Sequence, residues 1–191
     1  MRGALRIALW TLLFVAAGAQ AGEQPLDRER SSLLLRVYKT GLFAAFAHDH
    51  EIRAPLASGS LSTGERPSVE LVVNTGEMEV LDPKLAPEKR AEVRATMLGP
   101  QVLDSPRFPQ IRFRSTAAQP AGPGRWRVEG ELTLRDTTRP LVIQVEEKAG
   151  RYTGAVSFRQ TDFGIKPVSI GGGTVRVKDE VRLEFDVATR P

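Results

Sequence analysis

The stretch Arg125-Trp126-Arg127-Val128-Glu129-Gly130-Glu131-Leu132-Thr133-Leu134, followed after Arg135-Asp136 by Thr137-Thr138-Arg139-Pro140-Leu141-Val142-Ile143-Gln144-Val145-Glu146, decides the fold class. Trp126, Val128, Leu132 and Leu134 alternate with Arg127, Glu129, Glu131 and Thr133, and Leu141, Ile143 and Val145 alternate with Val142, Gln144 and Glu146. Side chains of a β-strand point alternately to opposite faces, so a period of two marks strands with one face in a core and the other in water. Two such runs around a short polar link read as antiparallel neighbours.

The same period recurs on both sides. Leu33, Leu35 and Val37 alternate with Leu34, Arg36 and Tyr38; Val69, Leu71 and Val73 with Glu70, Val72 and Asn74. Tyr152, Val156 and Phe158 follow, then Val181, Leu183, Phe185 and Val187 against Arg182, Glu184 and Asp186. With 46–53 and 110–116 the count reaches about eight strands. Pro87 to Leu98 breaks the pattern: proline at a first helical position and good helix formers after it predict one surface helix. Closure into a barrel hides every sheet edge, and eight strands enclose an interior that side chains fill or that holds one small ligand. The expected architecture is an all-β, eight-stranded antiparallel barrel with one external α-helix.

Met1 to Ala21 reads as a cleaved secretory signal: two arginines at the start, an apolar run from Ile7 to Ala17, and the small-x-small site Ala19-Gln20-Ala21. An apolar run of about eleven residues falls short of the ~20 that span a bilayer, so no stable membrane insertion is expected. Residues 22–191 then form one exported domain. Removal of Arg2 and Arg6 lowers the formal charge from +4 to +2, with no dense basic block beyond pairs such as Lys89-Arg90, which disfavours nucleic acid as a partner. The chain has no cysteine, so there are no disulfides and no thiolate chemistry. It carries no Gly-x-Ser-x-Gly, phosphate loop or His-Glu-x-x-His, and Gly171-Gly172-Gly173 lacks the spacing of a dinucleotide fingerprint. Binding is expected rather than catalysis. Asp82 and Asp104, near the helix ends, are expected to bond local backbone amides.

Candidate ligand contacts lie on or beside the inward face: Leu35, Val37, Phe43, Phe46, Phe113, Trp126, Phe158 and Phe163. His48 and His50 are the only histidines, and two residues apart on a strand they share a face at about 6–7 Å. They serve either, once protonated, an anionic lipid head group or, with a third ligand from another strand, a metal ion in a periplasmic metal or redox accessory protein. Arg159 and Asp162 have two readings. A bulge would turn the Arg159 guanidinium to a phosphate at the barrel mouth; otherwise the pair forms an ion bridge that fixes the turn before Phe163. A structural partner of a membrane complex is a third function class.

Four segments carry a resemblance: Thr40 to Phe43, Leu103 to Ser115, Gly130 to Pro140, and Arg159 to Ile165. In this order and spacing they resemble the YceI-like family over nearly the whole mature chain. The resemblance implies a lipocalin-like barrel, often exported to the bacterial periplasm, whose long apolar cavity binds polyisoprenoid or related amphiphilic lipids. On that basis no cofactor other than a bound isoprenoid lipid is expected. Ala47-His48-Asp49-His50 departs from the pattern, because many relatives carry a glycine before a less histidine-rich segment there.

Overall fold

The computed structural model describes residues 22–40, 49–170 and 175–190. The expected signal segment lies outside them. Eleven strands and one helix follow in the order β1 (Gln24–Thr40), β2 (His50–Arg53), β3 (Leu56–Ser62), β4 (Ser68–Asn74), β5 (Glu79–Val80), α1 (Pro87–Leu98), β6 (Gln110–Gly122), β7 (Arg125–Leu134), β8 (Thr137–Lys148), β9 (Arg151–Arg159), β10 (Ser169–Ile170) and β11 (Val175–Thr189).

Eight of them close a ring in the order β1-β3-β4-β6-β7-β8-β9-β11, and β11 pairs back onto β1. Every pairing is antiparallel, so the eight-stranded barrel expected from the alternation is present. β2 and β3 are two halves of one broken strand: β2 faces Leu34 to Val37 of β1, and β3 faces Gln24 and Pro25. The break falls at Ala54-Pro55, where proline has no N–H to give and the Ala54 amide donates to the Leu33 carbonyl at 2.9 Å. β5 and β10 are short additions to β2 and β11.

Turn chemistry explains the hairpins. Ala149 (φ 52°) and Gly150 (φ 75°) both take positive φ between β8 and β9, as the twist-matching two-residue turn requires. At the seam the β1–β11 register slips between Asp27 and Ser32. There Asp27 accepts the amides of Glu29 and Arg30 at 3.1 Å, and the Ser31 hydroxyl accepts that of Ala188 at 3.0 Å. Such an irregularity bends a strand and lets a sheet curl upon itself.

The two ends of the barrel differ. Tight connections after β3, β6 and β8 gather at one end. At the other lie α1 and its flanking segments, the β7–β8 turn and a 3-10 turn at Gln160–Phe163. Helix α1 is tied down by Arg94, whose guanidinium donates to the carbonyls of Met78 (2.9 Å) and Gly76 (2.5 Å). Met97 is its buried residue, and with Leu103 it reaches the barrel interior. The helix thus contributes to closing one end as well as covering the surface.

Candidate functional site

The inward residues of the ring do not fill it. A cavity of about 230 Å³ runs inside the barrel, lined by side chains from every strand of the ring. No charged side chain lines it among the described residues; apart from Ser62, Thr63 and Ser68 near one rim, Tyr152 and Gln160, the walls are hydrocarbon, indole or the thioethers of Met78 and Met97. Ordinary ligand pockets begin at roughly 300 Å³, so this cavity suits a thin, flexible chain better than a compact ring system.

Five of the expected contacts lie where the alternation puts them: Leu35, Val37, Phe113, Trp126 and Phe158 all line the cavity. Phe163 stands one layer back, 2% exposed, its ring edge-on to Phe158 with centroids 5.7 Å apart. Phe43, Phe46 and His48 lie outside the described residues.

Arg159 and Asp162 are exposed and do not reach the cavity. β9 runs in unbroken register against β11 through Phe158 opposite Val181 and Arg159 opposite Glu180, so no bulge turns Arg159 inward. The expected bridge to Asp162 is not formed either. Asp179 braces the turn instead, accepting the Thr161 hydroxyl at 2.6 Å and the Thr161 amide at 2.9 Å. Burial opposes ionisation of Asp179, yet those hydrogen bonds and the nearby Arg159 charge outweigh it and hold the carboxyl below its ordinary value. Gln160 points inward, 8% exposed, and donates its amide to the Lys178 carbonyl at 2.8 Å.

His50 sits opposite Val37 in the β1–β2 ladder, and directly opposed residues share a face. It therefore belongs to the inner face, level with Val37, the last β1 residue that lines the cavity. Its Nδ1 lies 2.5 Å from Oδ2 of Asp82, whose other oxygen accepts the Glu51 amide at 2.7 Å. Asp82 is 4% exposed and its role is long-range, joining the segment before α1 to β2, rather than capping a local amide as expected. The Asp104 carboxylate likewise pairs with the Arg107 guanidinium at 3.0 Å. Beside the His50 pair the Lys39 amide donates to Asp49 at 3.1 Å, and burial pulls the Lys39 ammonium below the usual lysine value against the pull of Asp82 and Asp49. No group of three side chains fit to hold a metal ion occurs among the described residues. Outside the barrel Glu51 pairs with Arg36 at 2.8 Å, and Arg36 with Glu184 at 3.2 Å, strapping β2, β1 and β11 together.

The whole span from β1 to β11 matches one family model, the YceI-like domain, over residues 26–189. The chain belongs to the YceI-like family. Among curated relatives, a UPF0312 protein of Shewanella oneidensis is 26% identical over 191 aligned residues, covering 90% of this chain and 91% of its own. A UPF0312 protein of Shewanella putrefaciens is 25% identical with the same coverage. The fold is shared with BcnA of Burkholderia cenocepacia (TM-score 0.66, 16% identity, 85% of this chain and 98% of that one). It is shared too with a polyisoprenoid binding domain of Saccharophagus degradans (TM-score 0.57, 12% identity, 87% and 97%).

Within this YceI-like barrel, Leu103 to Ser115 leads from the helix into β6 and places Leu103, Ile111 and Phe113 on the cavity, while Arg159 to Ile165 forms the 3-10 turn that adds Gln160 and Ile165. Met97, Gln160 and Asp82 are among the contributors that sequence reasoning missed. The first two sit outside the period-two runs, and the partner of Asp82 is 32 residues away in sequence.

Proposed function

We propose that this YceI-like protein binds, and carries or sequesters, a polyisoprenoid or similar long-chain amphiphilic lipid inside its barrel, acting by binding rather than by catalysis in the periplasm to which Met1 to Ala21 directs it. The observation that carries the reading is the cavity: a continuous interior free of charged side chains among the described residues. Water gains little there, whereas each buried methylene contributes ~0.8 kcal/mol. Ten such groups amount to about 8 kcal/mol of gross burial, against which the ordering costs of binding are set. The structural likeness to a domain described as polyisoprenoid binding supports the same class of ligand.

The test is mass spectrometry of an organic extract of the purified protein, with titration of a fluorescent polyprenyl probe. The expected result is a long-chain isoprenoid in the extract and saturable probe uptake. An extract free of lipid, together with no uptake by delipidated protein, would overturn the reading.

A further inference from the structure

We infer that His50, oriented by Asp82, is the anchor for the polar end of the ligand, and that the end it selects is an uncharged hydroxyl. This rests on the lipid-binding function proposed above. Four residues form one level across the barrel: Phe158 pairs with Val181, Val181 with Val37, and Val37 with His50. The first three line the cavity. His50 is thus where an otherwise apolar wall turns polar on its inner face, with Gln160, two residues beyond Phe158, joining it at the same end.

The dyad is enclosed. The His50 side chain is 13% exposed and that of Asp82 4%. Both Asp82 carboxylate oxygens are engaged, one by the Glu51 amide and one by His50 Nδ1. In the neutral tautomer that donates Nδ1–H to Asp82, Nε2 is a hydrogen-bond acceptor, and no partner engages Nε2 among the described residues. A hydroxyl donating to that nitrogen satisfies it.

Charge decides between head groups. Asp49 accepts the Lys39 amide at 3.1 Å, and Arg90 donates to the Asp82 carbonyl at 3.3 Å. The Lys39 ammonium stands against two carboxylates there, those of Asp82 and Asp49. A multiply charged group would lie against a buried carboxylate that His50 already shares, at a desolvation cost. An alcohol carries no such cost.

The experiment compares binding by delipidated protein of a long-chain polyprenol, the same chain ending in a methyl group, and the corresponding diphosphate. A net hydrogen bond contributes about 0.5–1.5 kcal/mol, so the alcohol should bind roughly 2- to 10-fold tighter than the hydrocarbon, with the diphosphate weaker than the alcohol. His50→Leu should erase the alcohol's advantage over the hydrocarbon. His50→Gln, which keeps a hydrogen-bonding side chain, should restore part of it. The ¹⁵N resonance of His50 Nε2 should shift with the alcohol and not with the hydrocarbon, which decides the matter even if the leucine variant fails to fold. An advantage that survives His50→Leu, an unmoved Nε2 resonance, or a diphosphate that binds tightest would overturn the anchor. Failure of all three ligands to bind the wild type would instead sink the lipid-binding function itself.

Discussion

The Phe185 ring packs close against β9 at Gly154, its partner in the ladder, which has no side chain. A Cβ at Gly154 would come within 2.4 Å of the Gln144 carbonyl oxygen and 2.5 Å of the Phe185 ring. One contact is backbone and cannot swing aside. Gly154→Ala should therefore destabilise by about 1–3 kcal/mol through overpacking, each kcal/mol lowering the melting temperature by roughly 2–4 °C, readable in a thermal melt. Asp179 gives a prediction in pH. Its folded carboxyl titrates below the ordinary value of 3.8, so its contribution is fully present above about pH 3.8 and is lost as pH falls through the lower folded value. The stability gap between wild type and Asp179→Asn should hold at neutral pH and shrink below 3.8 in acid-unfolding curves. At this scale the sequence was legible for residues whose role follows from alternation alone, as for Trp126 or Val37. It was misleading for Arg159 and Asp162, because nearness along the chain did not predict that Asp179, across a strand pairing, would brace the turn.

Among the elements, α1 matches its expected span of Pro87 to Leu98, since the proline at its start and the Gly99 at its end are local signals that tertiary contacts did not override. What it lacks is a cap: Ala86 occupies the N-cap with extended ψ of 148° and no side-chain hydrogen bond. Ala86→Asp should supply one and complement the helix dipole, raising stability by about 0.5–2 kcal/mol in denaturant titration. The strand expected over 46–53 is described only from His50, and it stops at Arg53 because the chain breaks direction before Pro55. Pairing was less legible than the strands themselves. A period of two tells which face is buried, whereas which strand neighbours which depends on turns and bulges such as the β1–β11 slip at Asp27.

For the molecule as a whole, alternation cannot distinguish a packed barrel from a hollow one, since both demand apolar inward faces; the cavity emerges only when the ring's diameter is set against the volumes of the side chains within it. Ala118, half-buried on β6 and lining the cavity near the Trp126 rim, allows the two to be told apart. Ala118→Trp should leave the melting temperature of lipid-free protein nearly unchanged while abolishing polyprenyl probe uptake. A loss of the 1–3 kcal/mol typical of overpacking would mean that the space is not available.

The seam between β1 and β11 has a consequence for how the chain reaches this state. The first and last strands of the ring hold each other, Leu33 against Phe185 and Leu35 against Leu183, about 150 residues apart in sequence. Until β11 has been delivered, β1 and β9 both present open hydrogen-bonding edges, and no shorter stretch of chain can complete the ring. Contacts this distant make folding slow, on the ms-to-s scale of β-barrels. A polypeptide threaded through a membrane from its N-terminus would thus stay extensible for the whole of its passage and lock only after its final strand has crossed.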